Sequence, residues 1–281
     1  MAVSLLSRQG NTLQRALLLG CALFFVAVFA GTVSAQVSLP AVCVAPGYYH
    51  GMGKVWHVHD GDTVSLENRT RIRLIGLDTP EIFWRDKDAP AEPFAHEARD
   101  ALMELLHEHD YQVRWVYDRE PEDRYRRVLA HLFTPEGESI TALLLAQGLG
   151  YALTIPPNNQ FIDCYRATER QAMEDGLGIW SLPEFALLDA ETFPADAKGF
   201  RRVQGRVQRI GESNNAYWLN LEGQFAVRID RADLEYFPDL QFNRLRGATI
   251  SARGLVFYYR GEPRIRVRHA ADLEITYPPS N

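Results

Sequence analysis

Cysteine and methionine are scarce in this chain, at three and four residues in 281, and the cysteines and histidines show none of the paired spacings that a zinc site uses. His96-Glu97 lacks the second histidine of a zinc-protease helix, and no glycine-rich phosphate loop is present. Internal repeats and low-complexity tracts are also absent. Cations are few in the first part: residues 36–194 hold 14 Lys and Arg against 26 Asp and Glu, whereas 195–281 hold 14 against 10. An acidic first domain therefore precedes a mildly basic second one, and an acidic surface works against broad affinity for phosphate backbones.

What is present suits a globular protein. Hydrophobic residues make up 46% and aromatics 11%, enough to fill real cores. The length suggests about two domains. Arg8 and Arg15 precede an apolar run from Ala16 to Ala30, and Val33-Ser34-Ala35 has the small-residue spacing of a signal peptidase site. Residues 1–35 are therefore expected to be a cleaved export signal, with the mature chain starting near Gln36 and keeping no stable membrane association. A retained anchor is the alternative, although the run is short for a full span. Cleavage removes Cys21 and leaves Cys43 and Cys164, which either bridge in an oxidising compartment or stay as buried thiols.

Residues 50–182 read as one domain after an N-terminal segment at 36–49. Val55, His57 and His59, then Val64 and Leu66, alternate on either side of Gly61 and predict a hairpin. Arg71 to Leu77 predicts a third strand, and Tyr111 to Tyr117 and Val128 to Phe133 two more, so five short strands point to a small barrel. Helices are expected after Pro93, with Phe94, Ala98, Ala101, Leu102 and Leu105 on one face, then over Ser139 to Gln147, and from about Gln160 to Asp175.

The chemistry is concentrated in Asp60-Gly61-Asp62-Thr63, Arg73 and Asp78-Thr79-Pro80-Glu81. Attack on a phosphodiester needs a cation to neutralise developing charge, a group that activates water, and arginines on the phosphate oxygens. Asp62, just after the first turn, and Asp78, after the third strand, can bring two carboxylates to one cation. Such hard oxygen donors favour calcium or magnesium over zinc. Arg73 and Asp78 share a face only if the strand is irregular near Gly76. Each fragment alone is also an ordinary turn sequence.

Asp60-Gly61-Asp62-Thr63-Val64, Arg73 to Glu81, Asp123-Arg124-Tyr125-Arg126-Arg127, Ala146-Gln147-Gly148-Leu149, Pro157-Asn158-Asn159 and Ile179-Trp180-Ser181 together resemble, in order and spacing, the thermonuclease or staphylococcal-nuclease-like family. The resemblance covers about half the chain. It implies an α+β fold, a five-stranded OB-type barrel with three helices. It also implies that Asp62 and Asp78 ligate Ca2+ together with the Thr79 carbonyl, with Asp60 in the outer shell. By the same resemblance Glu81 is the general base or water-orienting group, and Arg73 and Arg127 bind the scissile phosphate. DNA and RNA would be cut with little sequence specificity to leave 3′-phosphates, by an enzyme in the periplasm or the medium. Arg126 stands where the family commonly has glycine, so it competes with Arg127 for the second arginine's role. Leu153, Thr154 and Ile155 replace the tyrosines that line the family's base pocket.

Residues 183–198 read as a linker, and 199–281 as a β-rich second domain whose strand pattern is compatible with another small OB-like barrel. Arg264, Arg266 and Arg268 alternate along one strand, with Trp218, Tyr258 and Tyr259 as stacking surfaces, as a single-strand groove requires. Alternating arginines on a solvated strand face are the plain alternative. For the whole chain, the alternative to a nuclease is a binding module for nucleic acid or protein that keeps the barrel without effective catalysis. The oligomeric state is not legible.

Overall fold

The computed structural model describes residues 39–40, 43–83 and 89–277; the expected export signal at 1–35 lies outside them. The hairpin around Gly61 is present. Strands β1 (Gly51–Asp60) and β2 (Thr63–Leu66) are antiparallel with Asp60 opposite Thr63, which leaves Gly61 and Asp62 as the turn. Strand β3 (Arg71–Leu74) stops short of the expected Leu77. The reason is Gly76, whose φ of 84° ends the extended run, and where a Cβ would lie 2.3 Å from the Tyr165 ring.

Helix α1 (Ala95–Glu108) buries Ala95, Ala98, Leu102 and Leu106, one stripe at helical spacing. Leu106 thus takes the inward position expected of Leu105. Strands β4 (Gln112–Val116) and β5 (Val128–Phe133) then close a barrel in the order β1-β2-β3-β5-β4, with β3 and β5 parallel. Helix α2 (Ile140–Ala146) starts where the Ser139 hydroxyl accepts the Ala142 N–H at 3.3 Å. Helix α3 (Ile162–Glu174) packs beside it. Val64, Ile72, Leu102 and Leu132 lie in one core, where burying a single leucine is worth about 1.5–3 kcal/mol. Cys43 is bridged to Cys164, which ties the segment ahead of β1 onto α3.

The second half repeats the plan. After a 3-10 turn at Pro183–Phe185 come β6 (Leu187–Asp189), β7 (Phe200–Glu212), β8 (Ala216–Leu221) and β9 (Ala226–Asp230). The short α4 (Phe242–Leu245), β10 (Thr249–Tyr259), β11 (Glu262–Val267) and β12 (Leu273–Thr276) complete it. The order β7-β8-β9-β11-β10, with β10 pairing back onto β7 and β9 parallel to β11, is the strand order of the first barrel. The second domain is therefore a second barrel of OB type, with β6 and β12 added outside it. Within the stretch read as a linker, β6 pairs in parallel with β7.

A buried ion cluster joins the barrels. Arg253 of β10 grips Glu169 of α3 with both terminal nitrogens, at 2.6 and 2.7 Å, and donates to the Ala152 carbonyl at 3.0 Å. Burial pushes Glu169 up to about 7, against the pull of Arg166 and the Ala152 amide. Asn159 and His269 meet at 3.1 Å beside it.

Candidate active site

The acids converge because the first hairpin turn and the segment after β3 meet at one end of the barrel. Asp62 is buried, and its Oδ1 accepts the Thr63 hydroxyl at 2.9 Å while Oδ2 accepts the Thr79 amide at 3.2 Å. Asp78 is anchored by two backbone hydrogen bonds to Tyr151, each 3.0 Å, and its Oδ2 accepts the Tyr151 hydroxyl. The close passage of the two segments requires a small residue at 150, since a Cβ on Gly150 would sit 2.6 Å from the Asp78 carbonyl.

Arg73 brings the two carboxylates together. Its Nη2 lies 2.9 Å from Asp62 Oδ2 and 2.6 Å from Asp78 Oδ1, while Nη1 donates to the carbonyls of Leu74 at 3.0 Å and Leu77 at 2.7 Å. The irregularity required for Arg73 and Asp78 to meet is the early end of β3 and the turn at Gly76. Burial works against the Arg73 charge, but Asp62 and Asp78 outweigh it and raise its pKa further. Asp60, whose Oδ1 accepts the Asp62 amide at 3.2 Å, is pushed up to about 7 by burial and by Asp62. Burial and the neighbouring acids also raise Asp78 and Glu81.

Among the described residues no three His, Cys, Asp or Glu side chains form a ready metal cage. The buried Asp62 and the half-buried Asp78 nevertheless meet within 3 Å of one cationic nitrogen, with Asp60 and Glu81 adding negative charge around them. That oxygen-only donor set fits a hard divalent cation.

Asp78 lines two clefts. One, about 590 Å³, also holds Arg73, Arg124, Tyr125, Arg127 and, from the second barrel, Arg268. The other, about 530 Å³, holds Thr79, Glu81 and Glu92 beside Lys198, Phe200 and Arg201. Glu81 and Arg127 therefore approach Asp78 from different sides. Arg127 is aimed by Asp123, which accepts from its Nε at 2.7 Å and its amide at 2.9 Å. Arg126 does not line that cleft; its φ of 62° is the left-handed geometry that glycine supplies most easily.

A model of the family described as Staphylococcal nuclease homologue matches residues 71–182. The thermonuclease of Staphylococcus intermedius is 33% identical over 129 residues, covering 45% of this chain and 74% of that protein. The thermonuclease of Staphylococcus hyicus is 32% identical over 131 residues, covering 46% and 75%. Endonuclease YncB of Bacillus subtilis is 31% identical over 127 residues, 43% of this chain and 58% of its own.

The chain belongs to the staphylococcal nuclease homologue family.

Within that family frame, the second barrel holds the remaining residues singled out from the sequence. Arg264 lies between Trp218 and Tyr259, its guanidinium carbon 4.8 Å from each ring. Arg266 and Arg268 are engaged by acids: Arg266 lies 2.6 Å from Asp230, and Arg268 3.0 Å from Asp233. Arg264 likewise reaches Glu262 at 2.8 Å. Tyr258 is apart from this group, with its hydroxyl donating to the Ala197 carbonyl at 2.8 Å. His59 bonds Ser65 at 2.9 Å and stands edge-on to His57, as satisfied polar residues do.

Sequence reasoning missed Tyr151, Phe200, Glu92, Lys198 and Arg201 around the acids. For Tyr151 a weak signal exists, an aromatic directly after Gly150 near a family motif. For the residues from the second half no local signal exists, because their place depends on how the barrels dock.

Proposed function

We propose that this nuclease is an exported, Ca2+-dependent phosphodiesterase that cuts DNA and RNA with little sequence preference and leaves 3′-phosphates. Membership of the family supports hydrolysis of nucleic acid. The observation that carries the finer reading is the meeting of Asp62 and Asp78 at a single nitrogen of Arg73, 2.9 and 2.6 Å away.

Asp62, Asp78 and the Thr79 carbonyl would hold the ion, with Asp60 in the outer shell. When bound, calcium supplies positive charge against the charge that builds on the phosphate oxygens. Glu81 accepts a proton from water: its side chain has no hydrogen bond among the described residues, its amide donates to Glu92 at 2.8 Å, and burial with the neighbouring acids raises its pKa, which makes it a stronger base than a free carboxylate. The water oxygen adds to phosphorus as the P–O5′ bond breaks. Arg73, with Nη1 pinned by the Leu74 and Leu77 carbonyls, would turn Nε and Nη2 to the equatorial oxygens once the Asp62 and Asp78 carboxylates hold the cation. Arg127, held by Asp123 on the other side of Asp78, is placed to donate to the leaving O5′.

Export is supported by the basic, apolar and small-residue pattern of residues 1–35 and by the Cys43–Cys164 bridge, a bond of oxidising compartments. The test digests single-stranded DNA, duplex DNA and RNA with calcium and then with a chelator, and identifies the product ends. Cleavage that ignores the chelator, or 5′-phosphate products, would overturn the mechanism. In Glu81→Gln, turnover should fall by orders of magnitude with an unchanged melting temperature.

A further inference from the structure

Of the arginines that stand out in the sequence of the second barrel, Arg268 lines the side of Asp78 that holds Arg73 and Arg127, and none lines the cleft that contains Glu81. Arg266 and Arg268 lie against Asp230 and Asp233, and Arg264 against Glu262, so much of their charge is neutralised. Lys198 and Arg201 differ. Both line the cleft that contains Asp78 and Glu81. Neither has a carboxylate partner among the described residues, and the contact Arg201 makes is from Nη1 to the Phe200 carbonyl at 2.6 Å. Leu255, 57% exposed, lies beside them and adds apolar surface to the same wall.

A strand running through this cleft meets Asp78, Glu81, Glu92 and Glu184, all anionic and all repelling phosphate. Among the described residues on that side, Lys198 and Arg201 are the cations that line it. From this geometry we infer that the second barrel forms a wall of the nuclease cleft, and that Lys198 and Arg201 form a subsite for the phosphodiester backbone next to the scissile phosphate. Leu255 gives the neighbouring sugar or base an apolar seat. The ligand is one strand of nucleic acid, held through phosphates that DNA and RNA share. The subsite explains how an acidic nuclease domain retains a polyanion: the positive wall comes from another domain, clamped in place by Arg253 on Glu169. This inference rests on the proposed nuclease reading of the acids.

The test uses the full mature chain carrying Glu81→Gln with calcium present, so that bound oligonucleotide is not consumed. Affinities of a thymidine dodecamer, a uridine dodecamer and a thymidine dinucleotide are measured against salt, with and without Lys198→Ala and Arg201→Ala together. Both side chains are exposed or partly so, and thermal melting checks that the double variant is folded. Loss of two phosphate contacts should make the slope of log Kd against log salt shallower by about 1.4 for both dodecamers. The dodecamers should weaken by about tenfold more than the dinucleotide. With Glu81 restored, KM for the dodecamers should rise more than kcat falls. An unchanged slope, a loss confined to DNA or RNA, or an equal loss on the dinucleotide overturns the subsite. Failure of the parent chain to cleave at all would instead sink the nuclease mechanism, and the binding comparison would still decide the subsite.

Discussion

The Tyr151 ring lies stacked on Phe200, with centroids 3.9 Å apart and planes 23° from parallel. Tyr151 belongs to the nuclease domain and its hydroxyl donates to Asp78 Oδ2; Phe200 opens β7 of the second barrel. The Tyr151 ring is thus held from behind by one domain while its hydroxyl orients Asp78, a proposed calcium ligand, in the other.

Tyr151→Phe keeps the stack and removes the hydrogen bond, whereas Phe200→Ala removes the stack and leaves the hydroxyl. Partners of this kind typically cost about 10- to 100-fold in metal affinity or activity. Both variants should therefore need at least about tenfold more calcium for half-maximal activity. Calcium titration by calorimetry and by activity checks this, and an unchanged calcium requirement in both would remove the stack from the mechanism.

Arg73→Lys retains the charge and loses the fork. Because Nη1 is fixed on two carbonyls while Nη2 meets both carboxylates, a single ammonium cannot reproduce the arrangement. Loss of kcat by about 100-fold or more is expected, with a smaller change in KM. Steady-state kinetics on single-stranded DNA provides the measurement.

Arg253→Met should destabilise the protein through Glu169. That carboxylate is buried, and the substitution deletes a two-point contact to it while Arg166 remains. A cost of about 3 kcal/mol is expected from leaving a buried charge short of partners. Urea unfolding would detect it, and a midpoint equal to the parent's would show that the joint contributes no stability.

Cys164→Ser opens a bridge that spans 121 residues of sequence. On the chain-entropy account such a bridge contributes about 4–5 kcal/mol. Reduction of the parent protein should lower its melting temperature as the substitution does, and should have no further effect on the variant.

His131 makes stability fall in mild acid. It is buried, with Nδ1 at 2.8 Å from the Tyr165 hydroxyl and Nε2 at 3.4 Å from Asp118. Burial lowers its pKa against the pull of Asp118, so the unfolded chain takes up the proton first as pH drops. Stability from this group is present above about pH 6.5 and is lost as pH falls below it. His131→Gln should flatten the dependence of the unfolding midpoint between about pH 7 and 5.

Local signals in the sequence carried much of the first domain. The alternation around Gly61 forms the predicted hairpin, the apolar stripe after Pro93 is α1, and Ser139 caps α2. The strand pattern of the second domain was legible for the same reason, since period-two alternation is set by neighbours in sequence. Strands β6 and β12 were not, because strands of three and four residues at a sheet margin have too few positions to show a period.

The sequence by itself determined the family and the candidate site: three aspartates, a glutamate and two arginines in an order and spacing that resemble one nuclease family. The tertiary structure alone decided how that site is supported. It ended β3 early so that Arg73 could reach Asp78, and set Phe200 behind Tyr151. It spent the charge of Arg266 and Arg268 on nearby acids, and it turned Lys198 and Arg201 toward the cleft. The physical reason is range. Turn and strand preferences arise from adjacent residues, whereas the pairing of charges and rings across two barrels depends on which surfaces exclude water together.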